Sequence, residues 1–264
     1  MLTVRDATAR DYEAACDLWR AFGADQPAPA EADWNARYRE HILFLVDDAT
    51  GDIAGYALCV PYGSRGDIRH IMVTPAWRGK GIGRQLMDAV RTRLRARACT
   101  DWRLEVRDHN AAAIALYRSA GMQVLHVLIT LRMTRETAAR FGATRSGALR
   151  VREVEPHDDL ALEAHFDLGQ GYLARCRKVP SSYVWRIDDN TLAHYRVELA
   201  PELSLLFPFR AASPEHAAHI VAAAVDAGMQ SHLEILVAGD EAAAPLAAAG
   251  GHITERNLEM GGPL

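Results

Sequence analysis

The sequence predicts an α/β fold of the mixed-sheet (α+β) kind, laid down twice in tandem, and three observations predict it. An apolar run from Ile68 to Val73 is followed by a glycine-rich loop and then by a segment with helical periodicity. A second strand, turn and helix pattern runs from Leu104 to Gly121. The chain also resembles itself: a shift of 129 residues (233 minus 104) places Leu104-Glu-Val on Leu233-Glu-Ile and Gly121 on Gly250 without a gap.

The first pattern carries the chemistry. In Gln85 to Leu94 the apolar residues Leu86, Val90 and Leu94 recur every four positions, as on the buried face of a helix. Between strand and helix lies Val73-Thr-Pro-Ala-Trp-Arg-Gly-Lys-Gly-Ile-Gly-Arg84. Glycines at 79, 81 and 83 let backbone N–H groups approach an anion, and the new helix presents its positive end. Arg78, Lys80 and Arg84 add charge, so the expected ligand carries phosphates. The dinucleotide fingerprint G-x-G-x-x-G fails on spacing, and no Gly-Lys-Ser/Thr completes a Walker loop.

In the second pattern, Leu104 and Val106 alternate around Glu105 as in a half-buried strand. Asn110 is a good N-cap for a helix that carries Tyr117 and ends at Gly121.

Arg78-x-x-Gly81-x-Gly83, preceded by Val73-x-Pro75, closely resembles the acetyl-CoA loop of the GNAT superfamily of N-acetyltransferases. Leu104 to Met122 resembles the strand, loop and helix that flank the acyl group in that family, and is especially similar to bacterial ribosomal-protein alanine N-acetyltransferases. The likeness covers residues 3 to 133. It implies acetyl-CoA as cofactor, held by the backbone of Ile71, Met72 and Val73, by the loop Arg78, Gly79, Lys80, Gly81, Ile82, Gly83 and Arg84, and by Asn110 and Tyr117. It implies Glu105 as the base that deprotonates the acceptor amine and Tyr117 as the acid that protonates the departing thiolate. Asp67 and His70 are alternative bases. An amine of pKa near 10 is mostly protonated at neutral pH, so a base is needed.

The duplication suggests a catalytic unit at 1–140 and a second GNAT-like unit at 148–264, joined through Thr134 to Ala148, where Gly142, Thr144, Ser146 and Gly147 interrupt hydrophobic periodicity. In the second unit, strands are expected near Leu192 to Leu199, Leu203 to Phe209 and Leu233 to Val237. A helix from Pro214 to about Ala227 has Ser213 as cap and Gly228 as terminator. The shift of 129 sets Phe207 to Ala212 against the loop Arg78 to Gly83, Glu234 against Glu105, Leu246 against Tyr117 and Gly239 against Asn110. A loop with side chains at every position and a proline cannot cradle a diphosphate in the same way, so the second unit is read as degenerate.

Composition sets limits. A chain of 264 residues with 49% hydrophobic content can build one large domain or two small ones. No apolar run reaches the length of a membrane span and the first residues lack a signal-peptide plan, which suggests a cytoplasmic protein. Cys16, Cys59, Cys99 and Cys176 are scattered, with neither metal-site nor disulfide spacing. A net charge of −4 gives no support to a nucleic-acid partner.

For the acceptor, GNAT enzymes use their first helices, here Asp11 to Gly23 and Ala30 to His41. The joining segment contains Asp25, Glu31, Asp33 and Trp34, of which Asp33 and Trp34 are the expected substrate contacts alongside Glu105. The reading is transfer of acetyl to a primary amine of a small molecule, with an aminoglycoside or amino-sugar antibiotic the most concrete acceptor. The layout is similar to kasugamycin-type 2'-N-acetyltransferases. A protein N-terminal or lysine acetyltransferase is the alternative, and a non-catalytic acetyl-CoA sensor a third reading. Oligomeric state is expected to be monomer or homodimer.

Overall fold

The computed structural model describes residues 1–22, 28–147 and 149–264. In chain order the elements are β1 (Leu2–Asp6), α1 (Tyr12–Phe22), α2 (Glu31–Asp33), β2 (Ile42–Asp47), β3 (Ile53–Tyr62), β4 (Arg65–Val73), α3 (Ile82–Ala96), β5 (Asp101–Arg107), α4 (Ala111–Ser119), β6 (Gln123–Thr134), α5 (Arg135–Ala143), β7 (Arg152–Glu153), α6 (Asp159–His165), α7 (Tyr172–Cys176), β8 (Ser182–Arg186), β9 (Leu192–Ala200), β10 (Leu203–Arg210), α8 (Pro214–Asp226), β11 (His232–Ala238), α9 (Gly239–Ala248) and β12 (His252–Pro263). Two compact units result: Met1–Val124 together with Met260–Leu264, and Leu125–Glu259.

In the first unit the strands run β1-β2-β3-β4-β5, followed by the end of β12. From β1 to β4 neighbours are antiparallel, and β4 and β5 are parallel. The Leu264 N–H donates to the Thr100 carbonyl at 2.9 Å, which fastens the last residues of the chain beside β5. Helix α3 buries the predicted ladder Leu86, Val90 and Leu94 together with Ile82 and Met87. It lies close on the sheet because Gly55 has no side chain: a Cβ there would stand 2.6 Å from the Met72 carbonyl oxygen and 2.9 Å from Leu86. That close approach fixes the start of α3 against the end of β4.

Helix α1 begins and ends within a residue of expectation, and Gly23, Ala24 and Asp25 lie outside the described residues. The helix expected over Ala30 to His41 is not continuous. After the single turn α2, Trp34–Tyr38 winds as a wide π turn and Arg39–His41 as a tight 3-10 turn. The wide turn brings Trp34 into the core and Tyr38 against Trp19, ring centroids 5.4 Å apart.

In the second unit the order is β12-β6-β11-β10-β9-β8-β7, with β10 and β11 parallel and β6 antiparallel to β11. One core joins Ile129, Leu131, Phe141, Ile220, Val221, Leu233, Ile235 and Leu246. Helix α8 is capped as expected: the Ser213 Oγ accepts the His216 N–H. The compact units do not divide at 140/148. Residues 125–140 group with the second unit because β6 pairs along its length with β11, from His232–Thr134 to Ala238–Leu128. The segment expected as a linker is largely helix α5, capped by Thr134 and packed so tightly on α8 that a Cβ at Gly142 would stand 3.0 Å from Ala222. Ala148, at the predicted boundary, lies outside the described residues.

Candidate active site

Between β4 and α3 the chain makes one tight turn, Pro75–Trp77, and then opens into an exposed loop. The Thr74 hydroxyl anchors its start on the carbonyls of Ile53 and Ala54 at 3.2 and 3.0 Å. Gly79 and Gly81 have φ of +74° and +79°, a backbone that side chains other than glycine rarely adopt, and the space where a Cβ would stand is open. Gly81 is the N-cap of α3 and offers no side chain to the helix end. The Arg84 N–H makes the first bond of α3, to the Gly81 carbonyl at 3.1 Å, so the N–H groups of Ile82 and Gly83 precede the helical ladder and stand at the open loop. Gly83 has a different reason: its missing Cβ would stand 3.0 Å from Leu116 of α4, so it sets the approach of the two helices. Arg78, Lys80 and Arg84 are all exposed, with the Lys80 ammonium 5.0 Å from the Trp77 ring centre. Open space, unpaired donors, a helix N-terminus and three cations fit a diphosphate.

The parallel pairing of β4 with β5 covers four residue pairs, Arg65–Asp101 to Ile68–Leu104, and then stops. Just past that point β4 carries a bulge: Leu58 faces His70 and Cys59 faces Ile68, which leaves Arg69 as the extra residue. Beyond the bulge β4 keeps its bonds to β3 through Ile71–Ala57 and Val73–Gly55. Its other edge, along Ile71, Met72 and Val73, is released by the separation of the strands. A released strand edge offers a row of N–H and C=O groups that an amide-bearing chain such as pantetheine can pair with.

The acid and base predicted from sequence both belong to this unit. Trp102, Leu104 and Val106 are buried on β5, whereas Glu105 is exposed, one residue beyond the last β4–β5 pair. Tyr117 lies on the buried side of α4 at 6% exposure, and burial pushes its phenol up to about 12. It therefore stays protonated, the state a proton donor requires. The Asn110 Oδ1 accepts the Ala113 N–H at 3.2 Å, which fixes the side chain as the cap of α4.

Of the alternative bases, Asp67 forms ion pairs with Arg65 and Arg69 at 3.6 and 3.4 Å. His70 is buried, and burial lowers its imidazole to about 4. Its Nδ1 shares a hydrogen bond of 2.8 Å with the Tyr56 hydroxyl, and its ring lies edge-on to Trp19 at 4.3 Å. Of the expected acceptor contacts, Asp33 is exposed, whereas Trp34 is 1% exposed and packs edge-on against Tyr12 at 5.8 Å. Trp34 thus builds the wall of this region rather than its surface. Sequence reading missed the aromatic set Trp19, Tyr38 and Tyr56 around His70. Its signal was present in α1, where Tyr12, Cys16 and Trp19 fall on one helical face.

The second unit repeats this plan with altered parts. Pairing of β10 with β11 again covers four pairs, Leu203–His232 to Leu206–Ile235, and β10 again bulges next, at Phe207 and Pro208. This register sets Leu236, not Glu234, in the place of Glu105; Glu234 instead pairs with Arg132 on β6. The counterpart of the glycine loop is likewise not Phe207 to Ala212, because β10 continues through Arg210. Residues 211–213 alone connect it to α8, against residues 74–81 in the first unit. The cap of Ser213 takes the His216 N–H, and Pro214 has none to offer. At the bulge the Phe207 carbonyl is engaged by His194 Nδ1 at 3.1 Å. Leu246, fully buried, lies on α9 where Tyr117 lies on α4.

The model of the acetyltransferase (GNAT) family matches residues 8–122. An acetyltransferase of Pectobacterium atrosepticum is 33% identical over 109 residues, which cover 40% of this chain and 77% of that protein. The chain belongs to the GNAT acetyltransferase family. It is an acyltransferase and acetyl-CoA is its acyl donor. Two solved structures share the fold across nearly the whole chain. A GCN5-related N-acetyltransferase from Sphaerobacter thermophilus has a TM-score of 0.63 at 15% identity, over 99% of this chain and 95% of that one. A tandem GNAT protein from the clavulanic acid biosynthesis pathway has a TM-score of 0.61 at 14% identity, over 100% and 98%. No helix among the described residues is long and apolar enough to cross a membrane.

Proposed function

We propose that the first unit transfers the acetyl group to a primary amine of a small molecule, with amino-sugar antibiotics of the aminoglycoside type as the acceptor class. The observation that carries this reading is the lining of the α1–α2 side. The exposed carboxylates of Glu31, Asp33 and Glu40 lie on the turns that carry the half-buried Tyr38 ring, which the buried Trp19 and His70 back from within. A cluster of exposed carboxylates beside a half-buried aromatic ring favours a compact polycation.

In this reading Arg78, Lys80, Arg84 and the amides at the start of α3 hold the diphosphate, and the released edge of Ile71, Met72 and Val73 orients the arm. Acetyl-CoA supplies the acyl group as a thioester. Glu105, directly or through a water, accepts the amine proton at a carboxylate oxygen so that the nitrogen lone pair is free. Tyr117 holds a proton at its phenol oxygen for the sulfur that acyl transfer releases. The second unit does not hold acetyl-CoA. Its three-residue loop, the proline at the start of α8, the occupied Phe207 carbonyl and the leucines at 236 and 246 support that reading.

The test is acetyl-CoA turnover, followed as free thiol, against aminoglycosides, simple polyamines and peptides with free N-termini. Turnover confined to peptides would overturn the small-molecule reading in favour of a protein acetyltransferase.

A further inference from the structure

We propose that Gly262, near the end of the chain, is a positioning residue for acetyl transfer, acting through the end of α4 on Tyr117. The proposal rests on the role given to Tyr117 above. Helix α4 closes with Gly121 at φ +89°, and the Met122 N–H reaches back to the Tyr117 carbonyl at 3.0 Å. The Ala120 N–H also reaches the Tyr117 carbonyl, at 3.1 Å, so Tyr117 accepts two of the closing bonds of the helix, beside those that end on Leu116 and Arg118. Gly262 lies directly on that closure. A Cβ at 262 would stand 2.8 Å from the Gly121 carbonyl oxygen and 3.7 Å from the Met122 Cα. All of these atoms are backbone, so no side chain can swing aside.

The strand that bears Gly262 cannot easily retreat either. Met260 is fully buried, Gly261 is buried, and the Leu264 N–H is bonded to Thr100. A side chain at 262 must therefore push on the α4 closure, in which the Tyr117 carbonyl takes the bond from Met122, the residue next to the contact. Helix α3 also meets the closure, away from the diphosphate loop, where the Arg91 guanidinium donates to the Ala120 carbonyl at 2.6 Å. A displacement of about 1 Å at a reacting group can cost on the order of a hundredfold in rate.

The experiment compares Gly262→Ala, Gly262→Val, Tyr117→Phe and the double variant Tyr117→Phe/Gly262→Val in the full chain. Gly262→Ala should lower kcat about tenfold and Gly262→Val more, with KM for acetyl-CoA within about threefold of the parent. The double variant should be no slower than Tyr117→Phe alone, because the valine acts only through the tyrosine. Multiplicative losses in the double variant, or an unchanged kcat in a folded Gly262→Val, would overturn the proposal. If Tyr117→Phe itself leaves kcat unchanged, the assignment of Tyr117 fails instead, and the two failures are distinct. Should the valine variant not fold, Gly262→Ala and amide exchange at Met122 in the parent decide. Rapid exchange at Met122 would show a closure too loose to position anything.

Discussion

At the scale of single residues, burial determines which proton states are present. Tyr117 is raised to about 12 by desolvation, so it is a neutral phenol at any working pH and can donate to a thiolate without first being charged. Tyr117→Phe should lower kcat by roughly 10² to 10⁴ with little change in KM for acetyl-CoA; steady-state kinetics check this. Under the base role proposed for Glu105, Glu105→Gln should remove the acid limb of the kcat/KM profile as well as lowering its magnitude. An unchanged limb would point to another base.

His70 and His194 are both lowered to about 4 by burial, from an ordinary value of 6.5. Between those values the unfolded chain binds the protons and the fold does not. Stability is therefore lost as pH falls from about 6.5 toward 4, by on the order of 3 kcal/mol for each histidine, and is unaffected above 6.5. His194→Gln, which keeps an amide donor for the Phe207 carbonyl, should flatten the fall of Tm between pH 7 and 4.5.

At the scale of elements, the first unit was largely readable because its signals are local. Gly79, Gly81 and Gly83 mark a loop, Leu86, Val90 and Leu94 mark a helix face, and Asn110 marks a cap; each is expressed within a single element or turn. Gly81→Val should abolish acetyl-CoA binding by calorimetry, because valine opposes a φ of +79° and fills the space that the ligand needs. The counterpart loop was misplaced for a physical reason. A constant shift assumes equal loop lengths, but 211–213 replaces 74–81, so residues taken for loop remain in β10. The same error set Glu234 opposite Glu105, and only the strand register moves that comparison to Leu236. The aromatic set around His70 draws on four separate elements, α1, the π turn, β3 and β4, and the face of α1 alone does not announce their convergence.

At the scale of the molecule, the duplication was legible from spacing, but the partition of strands was not, because pairing of β6 with β11 is a long-range event that leaves no period in the sequence. If only the first unit keeps a diphosphate loop, titration with acetyl-CoA should saturate at one equivalent per chain. Substitution of Ala211 or Ala212 by larger residues should then leave the affinity unchanged. A stoichiometry of two would sink the reading of the second unit.

The assignment of residues 260–264 to the first unit and of 125–259 to the second has a consequence for anyone who would separate the halves. No single scission between 125 and 259 yields a whole N-terminal unit, because its last strand is translated at the far end. The two pieces produced by a break near 148 should behave as split-protein partners: inactive when made separately, with acetyl transfer restored only when they are made together, which co-expression and a free-thiol assay check.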